Sequence, residues 1–258
     1  MIDFTRISAA NCTALALGIA GTTHAQVQVI PDQGIAANDA QPYDAVGYGL
    51  AMDGDRMLVG ARGSDTIALN GGSIYAFTRT SSGWQQAQKI VFPTAAVGDE
   101  IGTALAMKGS AGIAGAPLRS TAGKAFILRL DGGAWSVVSE IGDDSLAANS
   151  DFGAAVACTD DVIAVGAPAS IEGVGAFAGR VRLYNRVGTQ WTQGAALTAA
   201  FPDPGDRFGF AVAMSGPWLA ISAPGDDDAA VNAGCVWLYR NGPSGYTFFR
   251  KINCPLPA

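Results

Sequence analysis

A chain that repeats one apolar pattern four times, at a period of 51 to 56 residues, is predicted to be all-β: a β-propeller of four four-stranded blades. Three sets of landmarks carry that prediction. The stretches "VGYGLAMDGDRMLVGAR" (46–62), "IGTALAMKGSAGIAGAP" (101–117), "FGAAVACTDDVIAVGAP" (152–168) and "FGFAVAMSGPWLAISAP" (208–224) align without a gap, their leading glycines at 47, 102, 153 and 209. A later glycine (Gly72, Gly123, Gly179, Gly234) precedes a β-rich run in each repeat, and an aromatic residue (Trp84, Trp135, Trp191, Tyr246) opens a last segment. Both later landmarks step by 51, 56 and 55 residues, so all three advance together.

Each repeat reads as four strands. In the last one, "GFAVAMS" alternates small and larger apolar residues, a tight turn follows, and "WLAISAP" returns. A variable stretch leads to "CVWLYR", and a Gly-rich turn gives "YTFFRKI". The inner pair has few polar residues on either face, which predicts burial on both; the third and fourth strands alternate more, as strands nearer solvent do. Small residues on the innermost strand suit blades that converge on an axis, and the glycine heading it permits positive φ or a close backbone approach. The Ala-Pro that ends the second strand stops the ladder, since proline has no N–H to donate. Arg62 stands at that place in the first repeat, so the stop is optional.

The chain divides accordingly into 1–25, a secretory leader; 26–45, an N-terminal strand and lead-in; and 46–258, the repeats, beginning near 46, 101, 152 and 208. The leader is read from Arg6, the apolar run Ala14–Ala20 and the small and polar residues up to Ala25, the expected cleavage point. That run is too short to span a bilayer, so membrane insertion is not expected. Export to the periplasm, the cell surface or the medium follows as the expected location.

Cleavage at Ala25 would remove His24, the only histidine, and with it Ser-His-Asp and Cys-His chemistry and the commonest transition-metal ligand. Cys158, Cys235 and Cys254 match no zinc spacing. Cys158 reads as a buried small residue, and Cys235 with Cys254, on neighbouring strands, is the candidate disulfide pair. A net charge of -6 and only four lysines give no footprint for phosphate backbones, so nucleic acid is excluded as an expected partner.

Phe152-Gly153 with Gly166-Ala167-Pro168, and Phe208-Gly209 with Ala223-Pro224 after Ser222, resemble the motif of the FG-GAP repeat family, over nearly the whole chain beyond the leader. That resemblance implies the β-propeller of integrin alpha subunits and of secreted bacterial proteins, and with it binding or adhesion. Two departures stand out. The integrin-type calcium loop between the first and second strands is absent, and the turns holding Asp53, Asp55, Asp160 and Asp161 are too short to surround an ion. Family members commonly have seven blades, and this chain has four repeats. A small closed ring is the expected arrangement, with an open arc whose edges need a partner as the alternative.

Propellers bind through loops on one end of a rigid ring. The loops after the second strand vary most, and their residues Asp65, Asn70, Arg119, Glu172 and Asn232 are the candidate partner-binding positions. Asp226, Asp227 and Asp228 form an acidic turn, with calcium held by these carboxylates as the alternative reading; no cofactor is required. The recurring tryptophans read as packing, whereas Trp218 and Trp237 break the repeat. The expectation is an exported, non-enzymatic module that binds an extracellular protein or glycan. The alternatives are a carboxylate-based enzyme acting on polysaccharide, or one arc of a larger propeller assembly.

Overall fold

The computed structural model describes residues 35–171 and 177–253. These fall in one compact unit, Ile35–Ala258. The expected leader, the strand expected before residue 35, Glu172 and Cys254 lie outside the described residues. Residues 35–45 form turns that lead into the first sheet.

Sixteen strands make four antiparallel sheets, each in simple chain order, and among the described residues there is no helix. The first blade comprises β1 (Val46–Asp53), β2 (Arg56–Ala61), β3 (Ser73–Thr80) and β4 (Gly83–Ile90). The second comprises β5 (Leu105–Lys108), β6 (Ala111–Ala116), β7 (Lys124–Asp131) and β8 (Ala134–Ile141). Then come β9 (Ala155–Cys158), β10 (Val162–Ala167), β11 (Arg180–Val187) and β12 (Gln190–Leu197). The last blade is β13 (Val212–Ser215), β14 (Trp218–Ala223), β15 (Cys235–Gly242) and β16 (Gly245–Asn253). Sequence landmarks and blades coincide, and the prediction of four four-stranded blades holds.

Most of the apolar core lies between the blades. Leu58, Ile74 and Ala76 of the first blade meet Ile101, Leu105 and Met107 of the second. Ile113, Ala125 and Ile127 then meet Phe152, Val156 and Cys158, and Ala164, Val181 and Leu183 meet Phe208, Val212 and Met214. Every other residue of the inner strand supplies the incoming side of each layer, as the two-residue period of a strand requires.

The repeat motif is explained by these junctions. A Cβ added to Gly60 would stand 2.0 Å from the Gly102 carbonyl oxygen; on Gly115 it would be 1.9 Å from that of Gly153, and on Gly166 2.1 Å from that of Gly209. The glycine before Ala-Pro, or before Ala61-Arg62 in the first blade, therefore admits the backbone of the next blade's leading glycine. That leading glycine holds φ between +90° and +98° in all four blades, which L side chains rarely adopt. In the fourth blade the position before Ala-Pro is Ser222, whose hydroxyl oxygen accepts the Ala211 N–H at 2.9 Å.

A backbone zipper completes each junction. Gly72 bridges Ile101, Gly123 bridges Phe152 and Gly179 bridges Phe208, all parallel. The N–H groups of Ile101, Phe152 and Phe208 donate to the carbonyls of Gly71, Ala122 and Ala178, at 3.2, 2.8 and 2.9 Å. Three such junctions join the four blades in series. Among the described residues, no bridge of this kind joins the fourth blade to the first.

Two burial expectations need correction. The inner pair is buried on both faces in the third blade, yet β1 is largely exposed and β13 alternates, because these strands belong to the end blades. The third strand is no solvent-facing strand over its first half: Ser73–Phe77 is buried throughout, being flanked by blades or lead-in on both faces. The fourth strands β8, β12 and β16 have the predominantly exposed character expected of the rim, whereas β4 is mostly half-buried.

Candidate functional site

In an antiparallel blade the first strand starts, the second ends, the third starts and the fourth ends on one side of the molecule. The loops after the second strands and the segments linking one blade to the next therefore share one end. All ten non-glycine residues with positive φ among the described residues lie there: Tyr43, Ala45, Asn70, Glu100, Ser120, Asn149, Asp151, Phe177, Arg207 and Asn232. Such a conformation is uncommon outside glycine, and for a residue as bulky as Phe177 (φ 64°) it is an outlier.

Four of these, Ala45, Glu100, Asp151 and Arg207, occupy one repeat position, two residues before the leading glycine. The residue before each is Asp44, Asp99, Ser150 or Asp206, and all four are buried. A carboxylate oxygen of Asp44 accepts the Gln41 N–H at 2.9 Å, Asp99 that of Ala96 at 2.7 Å and Asp206 that of Asp203 at 2.9 Å. The Ser150 hydroxyl donates instead to the Ala147 carbonyl at 2.6 Å. Each side chain thus locks a tight turn and sets the αL residue after it at the rim of the inner strands. Sequence inspection does not single these residues out, although an aspartate three residues before the glycine in three of four repeats is a readable signal.

Charge on this end is largely compensated. The Asp143 side chain is fully buried and takes ion pairs from Arg182 at 2.6 Å and Arg180 at 3.4 Å. Burial works against its ionised form, but hydrogen bonds from Ser145 and Arg182 outweigh it and hold the carboxyl below the usual range. Asp151 goes the other way: burial raises its carboxyl, only partly opposed by Arg207.

The predicted partner-binding residues separate into tied and open ones. Arg119 is engaged by Asp99, by Glu140 at 2.8 Å and by the Thr94 carbonyl at 3.0 Å, and its guanidinium lies 5.2 Å from the Phe126 ring. Asp65 accepts the Asn70 N–H at 2.7 Å, and the Asn70 carbonyl accepts the Glu100 N–H, so both brace the first junction. Asn232 is exposed and lines a cleft with Phe177, Gly205, Arg207, Pro224 and Gly225. A neighbouring cleft adds Asp151, Pro168 and Phe210 around the same Arg207 and Phe177. The guanidinium of Arg207 lies 5.9 Å from the Phe177 ring.

The acidic turn is not a simple run of solvated carboxylates. Asp226 is buried and pairs with Lys251 at 2.7 Å, Asp228 pairs with the same ammonium, and Asp227 is exposed. Lys251 also lies 5.1 Å over the Trp237 ring, as Lys89 lies 5.1 Å over Tyr75 at the equivalent position of the first blade. The two ion-pair partners of Lys251 raise its pKa to about 12 against the opposing effect of burial. Cys158 and Cys235 are buried free thiols, both pushed up to about 12, first by burial.

Trp135 is buried, and Trp84, Trp191 and Tyr246 are partly buried against their cores, so the recurring aromatics are packing residues. Trp237 is buried too, whereas Trp218 is edge-on to Phe249 at 4.9 Å on the last blade.

Comparison with known proteins agrees with the motif reading. The FG-GAP repeat family matches residues 32–77 and 191–239, in the first repeat and across the third and fourth. The chain carries FG-GAP repeats. No curated protein matches it. Among solved structures, this FG-GAP chain is similar to a "putative 6-phosphogluconolactonase" from Bacteroides uniformis, with TM-score 0.54 and 9% identity. The alignment covers 81% of this chain and 57% of that one, and at such identity it bears on the fold alone. A structure of S. cerevisiae dbp5 bound to nup159, gle1, ip6 and adp gives TM-score 0.40 at 11% identity, covering 80% of this chain and 46% of that one. Among the described residues, no helix is long and apolar enough to cross a membrane.

Proposed function

We propose that this FG-GAP chain is an exported, non-enzymatic binding module that engages an extracellular protein or glycan with its loop end. The observation that carries the reading is the gathering of every non-glycine positive-φ residue of the described chain onto that one end. Strained backbone persists where the surroundings fix it, and the buried aspartates and interblade bonds fix it here. They hold loops that differ between blades on a frame that does not.

Within that face the Phe177–Arg207–Asn232 cleft is the favoured contact. It combines an exposed aromatic, a guanidinium and an amide, groups suited to a sugar ring or an acidic side chain. Calcium is not assigned a role: a cation entering the acidic turn would compete with Lys251, which Asp226 and Asp228 already hold. The test is binding of the full chain to an array of extracellular glycans and matrix proteins, with Arg207→Ala and Asn232→Ala beside it. Saturable binding that both substitutions weaken by about tenfold supports the reading. Binding untouched by them, or release of sugar from a polysaccharide by the unmodified chain, contradicts it.

A further inference from the structure

The row of inner-strand residues that enters each junction is Ile101, Leu105 and Met107 in the second blade, and all three are buried. Its counterpart in the first blade is Val46, Leu50 and Met52, which are 40%, 61% and 60% exposed, with Tyr48 between them 53% exposed. The outer part of that same face is covered, since Ala37 of the lead-in packs with Val59, Tyr75 and Phe77. Among the described residues, what stays open is the strip that elsewhere receives another blade.

The fourth blade mirrors this on its outgoing side. Leu58, Ile74, Ala76 and Ile90 of the first blade are buried against the second. The same positions in the fourth blade are Ala220, Val236 and Leu238, each half-buried, and Ile252, 48% exposed. The zipper is unfilled as well. Asn232 keeps the αL conformation of Asn70, and Gly234 keeps positive φ, but the loop they form meets no lead-in among the described residues.

We infer that these two faces are the halves of a fourth blade junction, formed between two copies of the chain. The occupant is a second copy because each face lacks what the other supplies, and three junctions of that kind already exist within the chain. Joining them head to tail is a heterologous contact, and with two copies it closes into a ring of eight blades. Ser222 sets its strength. A Cβ at this position in the other blades would stand 1.9 to 2.1 Å from the incoming glycine carbonyl, so the intermolecular junction is held wider than the internal ones. Association is therefore reversible and concentration-dependent.

The experiment is light scattering of the full chain across the micromolar range, with Leu50→Glu, Ile252→Glu and Ser222→Gly. The expected result is a monomer–dimer equilibrium that either charged variant weakens by at least about tenfold, since each places an unpaired charge in the junction. Mixing the two charged variants should recover association, because a mixed pair keeps one unmodified junction. Ser222→Gly should tighten the dimer several-fold. A chain that stays monomeric throughout overturns the inference. So does sensitivity at only one of the two faces, which would mean a symmetric contact, or a Ser222→Gly variant no tighter than the parent. Unchanged melting of the charged variants, whose sites are exposed, separates lost association from lost folding.

Discussion

At the scale of single residues, the buried acids do most to define the loop end. Asp44, Asp99 and Asp206 each bond a backbone N–H three residues back, and removing the Asp99 carboxylate forfeits a hydrogen bond to a charged acceptor, at a cost of about 1.5–3 kcal/mol. Asp143 makes a pH-dependent contribution whose sign is fixed. Its folded carboxyl is held below the ordinary value, so its stabilisation is complete above about pH 4 and is lost as pH falls through the lower folded value. Chemical denaturation between pH 2 and 6 should therefore show a loss of stability on acidification that Asp143→Asn reduces; an unchanged acid limb in the variant would count against the ion pairs with Arg180 and Arg182. The recurring aspartate three residues before the leading glycine is readable in the sequence, but the pairing of Asp143 is not. Asp143 takes its partners from a strand 37 and 39 residues later, and spacing alone cannot tell a turn aspartate that is buried from one that is solvated.

At the scale of the blade, one repeat position carries opposite consequences depending on whether another blade packs against it. Leu105 and Leu50 are equivalent, yet Leu105 lies in the first interblade layer and Leu50 faces out. Leu105→Ala should cost about 2–4 kcal/mol, as a truncation in a packed layer does. Leu50→Ala should stay within about 0.5 kcal/mol in the dilute monomer. Denaturant melts of both decide it, and equal losses would mean that the first inner strand is covered after all. The strand count, the turn positions and the glycines are legible in the sequence because periodicity and backbone requirement act locally. Burial of the end strands is not, because it depends on neighbours that the repeat itself does not announce. The same limit explains why the third strand reads as solvent-facing: it alternates more than the inner pair, yet both faces of its first half are occupied by other parts of the fold.

At the scale of the molecule, the FG-GAP motif is the signature of a junction between blades. The glycine before Ala-Pro and the leading glycine of the next blade fit together, and a zipper of backbone bonds seals the contact. Among the described residues, three junctions in series leave one incoming and one outgoing face free, and the organisation of the four blades turns on that asymmetry. Amide hydrogen exchange in the dilute monomer tests it most directly. Ile101, Phe152 and Phe208 donate their N–H groups across the junctions and should be strongly protected, while Val46, at the same repeat position, should exchange far faster. Protection of Val46 equal to that of the other three, at a concentration where the mass is that of one chain, would show a closed ring and contradict the account.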